Sequence, residues 1–283
     1  MMIRLFDYLN ESIFDDEEKQ MSKVENSVYS DLLKGSDFEV GTDGKTIVYN
    51  PNDGYSHGVF DRRLSLGTKS ISNNLMKINK AGLKFQPLYC IFVDNEEIDK
   101  IKDIPIDTVV SLSVGLFESK DYKLDFSKLK YDIINTITIR GGEQKSVDIQ
   151  PYPKHIHRVE IIPSRYSYSQ FKVDEIKGWD CDELIVQDDD FNANTAYGHG
   201  EGLCNGYSIE KLQTIIDNNP KVKTIYLYSK DIDSYWKVNT KGSKRIFDKL
   251  VNRKPKDQRS EYLDAQEYVW GWEAQHQDLF PNR

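Results

Sequence analysis

The stretch LYCIFVDNEEIDKIKDIP, residues 88–105, decides the reading of the fold. Leu88, Ile91 and Val93 stand in the spacing L-x-x-L-x-L, followed by Asn95, Ile98, Ile101 and Pro105. Alternate side chains of a strand face opposite ways, so Ile91 and Val93 share one face. The same pair of apolar residues, two apart in a β-prone run, recurs as Val110/Leu112, Ile137/Ile139, Val159/Ile161, Leu184/Val186 and Ile225/Leu227. Counting from Ile91, the first members of successive pairs lie 19, 27, 22, 25 and 41 residues apart. The last step holds a Gly/Asn-rich stretch, Asn192 to Gly206, that reads as an insertion on one rim.

A second segment, IEKLQTIIDNNPKVKTIYLYS, gives a helix-like run Leu212–Ile216, then Pro220, Val222, Ile225 and Leu227. The two segments resemble leucine-rich repeats, whose period is roughly 20–29 residues. The resemblance covers about residues 85–230, with Ile or Val often replacing Leu and the asparagine ladder mostly missing. It implies an α/β chain built as an irregular leucine-rich-repeat-like solenoid. Each unit would add one parallel strand, and its two inward residues would fill a slice of core against its neighbours. An ordinary α/β domain of alternating strands and helices is the alternative. The residues between the paired positions, Phe92, Ser111, Thr138, Glu160, Ile185 and Tyr226, should point away from the core. Of these, Phe92, Ile185 and Tyr226 are the expected anchors for a protein partner.

Outward from this body the chain divides into four parts: 1–16, a short amphipathic segment; 17–84, a helix and hairpin forming an N-terminal cap; 85–239, the repeat-like body; and 240–283, a basic segment and a C-terminal helix. Met21, Val24, Val28 and Leu32 make a helical stripe, with Gly35 as its C-terminal cap. Asp43-Gly44 joins two strands, about Phe38–Thr42 and Lys45–Asn50. Near the end, Tyr262, Ala265, Val269 and Trp272 form a stripe expected to pack back onto the body.

Composition limits the function classes. The formal charge of −8 disfavours binding of the whole protein to nucleic acid or an anionic membrane. The hydrophobic fraction of 38% suits a thin or elongated core. No run approaches the ~20 apolar residues of a membrane span, so no membrane association is expected. Cys90, Cys181 and Cys204 form no CxxC pair, which points to a reducing compartment.

The opening MMIRLFDYLNESIFDDEE differs from the rest. It resembles the capsid-targeting peptides of internal proteins in T-even-like tailed phages, which a prohead protease removes after Leu-x-Glu or Ile-x-Glu. Leu9-Asn10-Glu11, followed by Ser12, matches that triplet. The opening also looks like those of leucine-rich-repeat-like proteins of gut phages. The resemblance implies cleavage between Glu11 and Ser12, and a location in the bacterial host cytoplasm and the virion interior. A plain amphipathic helix docked on the body is the alternative.

Four constellations bear on chemistry. His155 and His157 form H-x-H, a zinc-like spacing with no third ligand nearby, and read best as surface histidines. His199, Glu201 and Cys204 lie among glycines in AYGHGEGLCNG; a rim loop is the better reading, a catalytic site the rival. Asp188, Asp189 and Asp190 read as solvated acid at a strand end, with cation binding as the alternative. Residues 241–259 carry Lys241, Lys244, Arg245, Lys249, Arg253, Lys254, Lys256 and Arg259 against Asp248 and Asp257, and this stretch can contact nucleic acid or pair with the chain's own acidic surface. No catalytic residue, metal or cofactor is assigned. The leading expectation is a phage internal virion protein that presents a macromolecule-binding surface. A phage-delivered enzyme and a cytosolic interaction protein are its rivals.

Overall fold

The computed structural model describes residues 29, 31–50, 62–66, 69–116, 118, 120–141, 146–162, 176–186, 209–229, 234–241, 244–250 and 258–280. The fold is mixed α/β, with several helices and one large mixed sheet. A hairpin opens it. β1 (Phe38–Val40) pairs antiparallel with β2 (Thr46–Tyr49). Asp43 builds the turn, its Oδ1 accepting from the backbone N–H of Lys45 at 2.9 Å and of Thr46 at 2.8 Å. Gly44 takes φ +65°, a conformation costly for any residue with a Cβ.

The large sheet has nine strands: β3 (Arg63–Ser65), β5 (Leu88–Val93), β6 (Thr108–Leu116), β8 (Asp132–Gly141), β10 (Ile156–Ile162), β11 (Cys181–Val186), β12 (Thr224–Ser229), β13 (Ser234–Lys241) and β14 (Lys244–Leu250). They neighbour one another in chain order. Every pairing from β3 to β12 is parallel, and β13 and β14 are antiparallel. The sheet therefore runs past both ends of the 85–239 body expected from sequence.

The segments between strands build a second layer. α1 (Lys69–Lys80) and the two-residue β4 (Lys84–Phe85) link β3 to β5, and a 3-10 turn (Ile98–Asp103) links β5 to β6. β7 (Asp121–Asp125) and β9 (Ser146–Gln150) lie in successive connections and pair with each other in parallel. α2 (Ile209–Asn218) precedes β12. Ile71, Leu75 and Ile78 of α1, Leu124 of β7, Val147 and Ile149 of β9, and Ile215 and Ile216 of α2 are buried in one core with the sheet's inward residues. Asn219 joins two connections inside it. Its Nδ2 donates to the carbonyls of Ile176 and Ile215, both at 2.7 Å, and its Oδ1 accepts from the Trp179 N–H at 3.2 Å.

Register fixes the core. Leu64, Ile91, Leu112, Ile137, Val159, Leu184, Ile225 and Val238 pair across eight strands in one row, each 0–1% exposed. A second row holds Val93, Val114, Ile139, Ile161 and Val186, all buried. One expected pair is displaced. In β6 the inward residues are Leu112 and Val114, not Val110 and Leu112. Between the pairs Val109↔Ile133 and Ser111↔Thr136, β6 contributes one residue and β8 contributes two. Such a bulge changes the parity of alternation, so counting by twos through it fails. Val110 packs instead with Val269 and Tyr89, apart from the main core. With the correction, successive inward residues are 21 apart (Ile91 to Leu112), 25 (Leu112 to Ile137), 22 (Ile137 to Val159) and 25 (Val159 to Leu184).

α3 (Gln258–Gln275) returns across the molecule. Val269 is buried against Val110 and Tyr89, while Trp272 is only half-buried, stacked on His276 with ring centroids 4.2 Å apart. Beyond it the chain reaches the hairpin. The Thr42 N–H donates to the Leu279 carbonyl at 3.1 Å and its hydroxyl to the Asp278 carbonyl at 2.6 Å. Gly41 is needed there, since a Cβ would lie 2.8 Å from the Leu279 oxygen. Among the described residues, no helix is long and apolar enough to cross a membrane.

Candidate binding surface on the sheet

Side chains that alternate with the core rows face the other way. Two registered rows result. One runs Arg63, Cys90, Ser111, Thr136, Arg158, Glu183 and Thr224. The other runs Ser65, Phe92, Ser113, Thr138, Glu160, Ile185 and Tyr226. Where the core rows are aliphatic, these are mostly hydroxyl-bearing or charged.

The three expected anchors fare differently. Phe92 is 37% exposed, with the Arg63 guanidinium 5.7 Å from its ring centroid. Ile185 is 1% exposed and Tyr226 8%, which corrects their assignment as exposed anchors. Both lie outside the main core cluster, so they do point away from it, as strand alternation requires. At the β11–β12 end, however, this face is itself closed over. Lys237 of the antiparallel β13 sits 5.8 Å from the Tyr226 ring centroid, a neighbour that parallel alternation alone does not anticipate.

Beside them a buried charge network marks the edge of the closed region. Arg158 is 1% exposed, yet its Nε and Nη2 donate to Glu183 Oε2 at 3.0 and 2.7 Å, and Nη1 to Glu160 at 3.5 Å. A buried guanidinium persists when carboxylates surround it in this way. At the opposite end, α3 covers Tyr89 and Val110.

Away from the β11–β12 end lies an open trough of about 260 Å³ over β3, β5, β6 and β8. Phe92, Ser111, Thr138, Arg63 and Arg140 line it. Arg63 and Arg140 form no ion pair among the described residues. The volume falls below the roughly 300–1,000 Å³ of small-molecule sites, which suits side chains of a docked macromolecule better than an enclosed ligand. Cys90 also borders the trough, but burial pushes its thiol up to about 11, so it is no thiolate at neutral pH.

The histidine pair occupies the N-terminal ends of β10–β12. His155 Nδ1 lies 2.8 Å from Asp180, and its Nε2 lies 3.0 Å from Asp182. His157 Nδ1 lies 3.2 Å from Asp182. Lys223 and Lys221 pair with Asp182 and Asp180 from the next strand. Burial acts against the Asp182 charge, but hydrogen bonds from Lys223, His157 and His155 outweigh it and hold the carboxyl at about 2. Among the described residues no group of three His, Cys, Asp or Glu side chains is placed to hold a metal. The acidic partners were visible in sequence as Asp180-Cys181-Asp182, charges two apart at a strand start, but only the parallel register sets them beside His155 and His157.

The Asp180 hydrogen bond, reinforced by Asp182, raises the His155 pKa above its usual 6.5. A raised pKa means this contact is fully present below pH ~6.5 and is lost as pH rises through the folded-state value. The His155 ring signals should therefore titrate with a midpoint above 6.5 in an NMR pH series, and the midpoint should fall in Asp180→Asn. An unchanged midpoint in that variant would contradict the contact.

Leu9, Glu11 and Ser12, the His199–Cys204 loop and Asp188 to Asp190 lie outside the described residues. In the basic stretch 241–259, Lys244–Leu250 is a strand, and its side chains lie outside the description. Comparison with family models, with curated proteins and with solved structures returned no match.

Proposed function

We propose that the chain is a leucine-rich-repeat-like solenoid whose open sheet face binds a macromolecular partner, and that it travels in a phage virion by way of its N-terminal peptide. The observation that supports this most is the trough between β3 and β8. A stacked parallel sheet presents one face that its own connections do not cover. Here that face carries an exposed aromatic, two arginines with no ion pair among the described residues, and a row of hydroxyls, a composition enriched in protein interfaces. The spacing of 21–25 residues between inward residues from Ile91 to Leu184, and the recurring triplets Leu88/Ile91/Val93, Ile156/Val159/Ile161 and Cys181/Leu184/Val186, support the repeat reading. The partner is proposed to be a protein of host or phage, because the net charge of −8 repels nucleic acid.

Two measurements test this reading. Phe92→Ala combined with Arg140→Glu should weaken binding of the recovered partner by roughly tenfold or more, since interface energy concentrates in aromatic and arginine side chains. Unchanged affinity would place the interface elsewhere. Mass spectrometry of purified virions should find a mature chain beginning at Ser12. A chain retaining its first residues inside capsids, or absent from them, would remove the targeting half of the proposal.

A further inference from the structure

On the other side of the molecule, α1, the 3-10 turn and residues 104–107 enclose a cleft of about 720 Å³. This falls within the size of ordinary ligand sites. Its apolar surface comes from Leu75, Met76, Ile104 and Ile106. Leu75, Ile104 and Ile106 belong to the core and are 2–4% exposed. Met76 is 70% exposed, the largest exposure of any bulky apolar side chain among the described residues. A methionine fills irregular space adaptably, and nothing in the fold requires an apolar group at this position on the helix surface.

Lysines surround this apolar surface. Lys84 is held by Asp107, with Nζ 2.9 Å from Oδ1, and Lys100 by Glu97 at 2.5 Å. Lys102 and Lys130 also line the cleft, and both are exposed with no ion pair among the described residues. In a chain of net charge −8, two uncommitted lysines beside an apolar cleft form a local positive field. The cleft carries Asp103 and Asp107 as well: Asp107 is already neutralised by Lys84, and Asp103, exposed and without an ion pair among the described residues, offsets one of the two lysines and leaves one net positive charge. The combination recognises one chemistry: an apolar body for the floor and a single anionic head for the lysines.

We infer that this cleft binds a small anionic amphiphile, a molecule with one carboxylate-like head and an apolar tail of about ten carbons. The site is separate from the sheet face, and its test does not depend on a macromolecular partner. The tail lies along the exposed Met76 thioether, over the narrow edges that the largely buried Leu75, Ile104 and Ile106 show to the cleft, and the head sits between Lys102 and Lys130.

Decanoate is the probe. The full chain has four methionines, Met1, Met2, Met21 and Met76, so methyl-labelled methionine gives a simple NMR spectrum in which Met76→Leu assigns the reporter. Decanoate should shift the Met76 methyl signal saturably. Replacing both Lys102 and Lys130 by alanine should weaken binding roughly tenfold, and replacing both by arginine should restore it. Urea unfolding of the ligand-free variants checks that they remain folded. Decanol should bind the native chain about as weakly as decanoate binds the double-alanine variant. The inference is overturned if decanoate gives no saturable shift, if the double-alanine variant binds as well as the native chain, or if decyltrimethylammonium binds as tightly as decanoate. Saturation by an acidic peptide but not by decanoate would likewise overturn it, assigning the cleft to a macromolecular partner.

Discussion

Glu273→Ala is expected to lower the free energy of unfolding by about 3–5 kcal/mol, the scale for removing one partner of a buried ion pair. The Arg62 and Glu273 side chains are 7% and 5% exposed. The guanidinium meets both carboxylate oxygens, Nε at 2.5 Å and Nη2 at 2.9 Å. Gln86 Nε2 donates to the same carboxylate at 3.0 Å, and Gln86 Oε1 accepts from the Tyr49 N–H at 3.1 Å. The Arg62 guanidinium also lies 5.3 Å from the Tyr49 ring centroid. This network ties the hairpin, the first strand of the large sheet and the last helix together across 211 residues of chain. Alanine leaves the guanidinium buried without this carboxylate. Urea unfolding of the native chain and the variant measures the loss. Arg62→Met combined with Glu273→Leu should recover most of it, because apolar side chains of similar volume often replace a buried pair at little cost. A loss below about 1 kcal/mol would mean that α3 is not anchored by this pair.

Leu184→Ala is expected to cost about 2–5 kcal/mol. Leu184 lies in the middle of the core row, between Val159 on one strand and Ile225 on the next, and is fully buried. Truncation removes methyl groups from a place where both neighbours are held by backbone ladders, so the cavity cannot readily collapse. Met76→Ala, at a position 70% exposed, should change stability by no more than about 0.5 kcal/mol. The same urea experiment compares them. Equal losses at the two positions would contradict the core assignment.

The large sheet was legible where strand alternation ran undisturbed. Ile137, Val159, Leu184 and Ile225 were assigned to one sheet from spacing alone, and they share one registered row. Spacing misled at Val110 because the extra residue in β8 is a property of two strands together, and neither sequence declares it alone. β3 is three residues long, too short to show a period, and α1 reads as polar because Ser, Asn and Lys dominate KSISNNLMKINK. The hairpin was readable because Asp43-Gly44 acts through local hydrogen bonds.

The candidate surface was only partly legible. Phe92 was identified because alternation puts it outward and nothing in the described structure covers more than part of it. Ile185 and Tyr226 obey the same alternation, but their burial depends on neighbours from elsewhere in the chain. Arg140 escaped notice because the sequence reading followed the first outward position of each strand, and Arg140 lies one row further along β8, paired with Gly115 of β6 and Ile162 of β10. The Arg62–Glu273 pair carries no sequence signal at all, since its members lie in different parts of the chain and neither belongs to a motif.

The central claim is that the trough between β3 and β8 is where a partner docks. A photo-crosslinking amino acid placed at Thr138, on the trough, tests it most directly, with Lys123 of β7, exposed in the second layer, as the comparison position. Position 138 should give one discrete crosslinked protein in cells that produce the chain. That species should be lost when Phe92→Ala and Arg140→Glu are introduced, and it should not form from position 123. Crosslinking from position 123 with none from position 138, or a position-138 product that survives both substitutions, would contradict it.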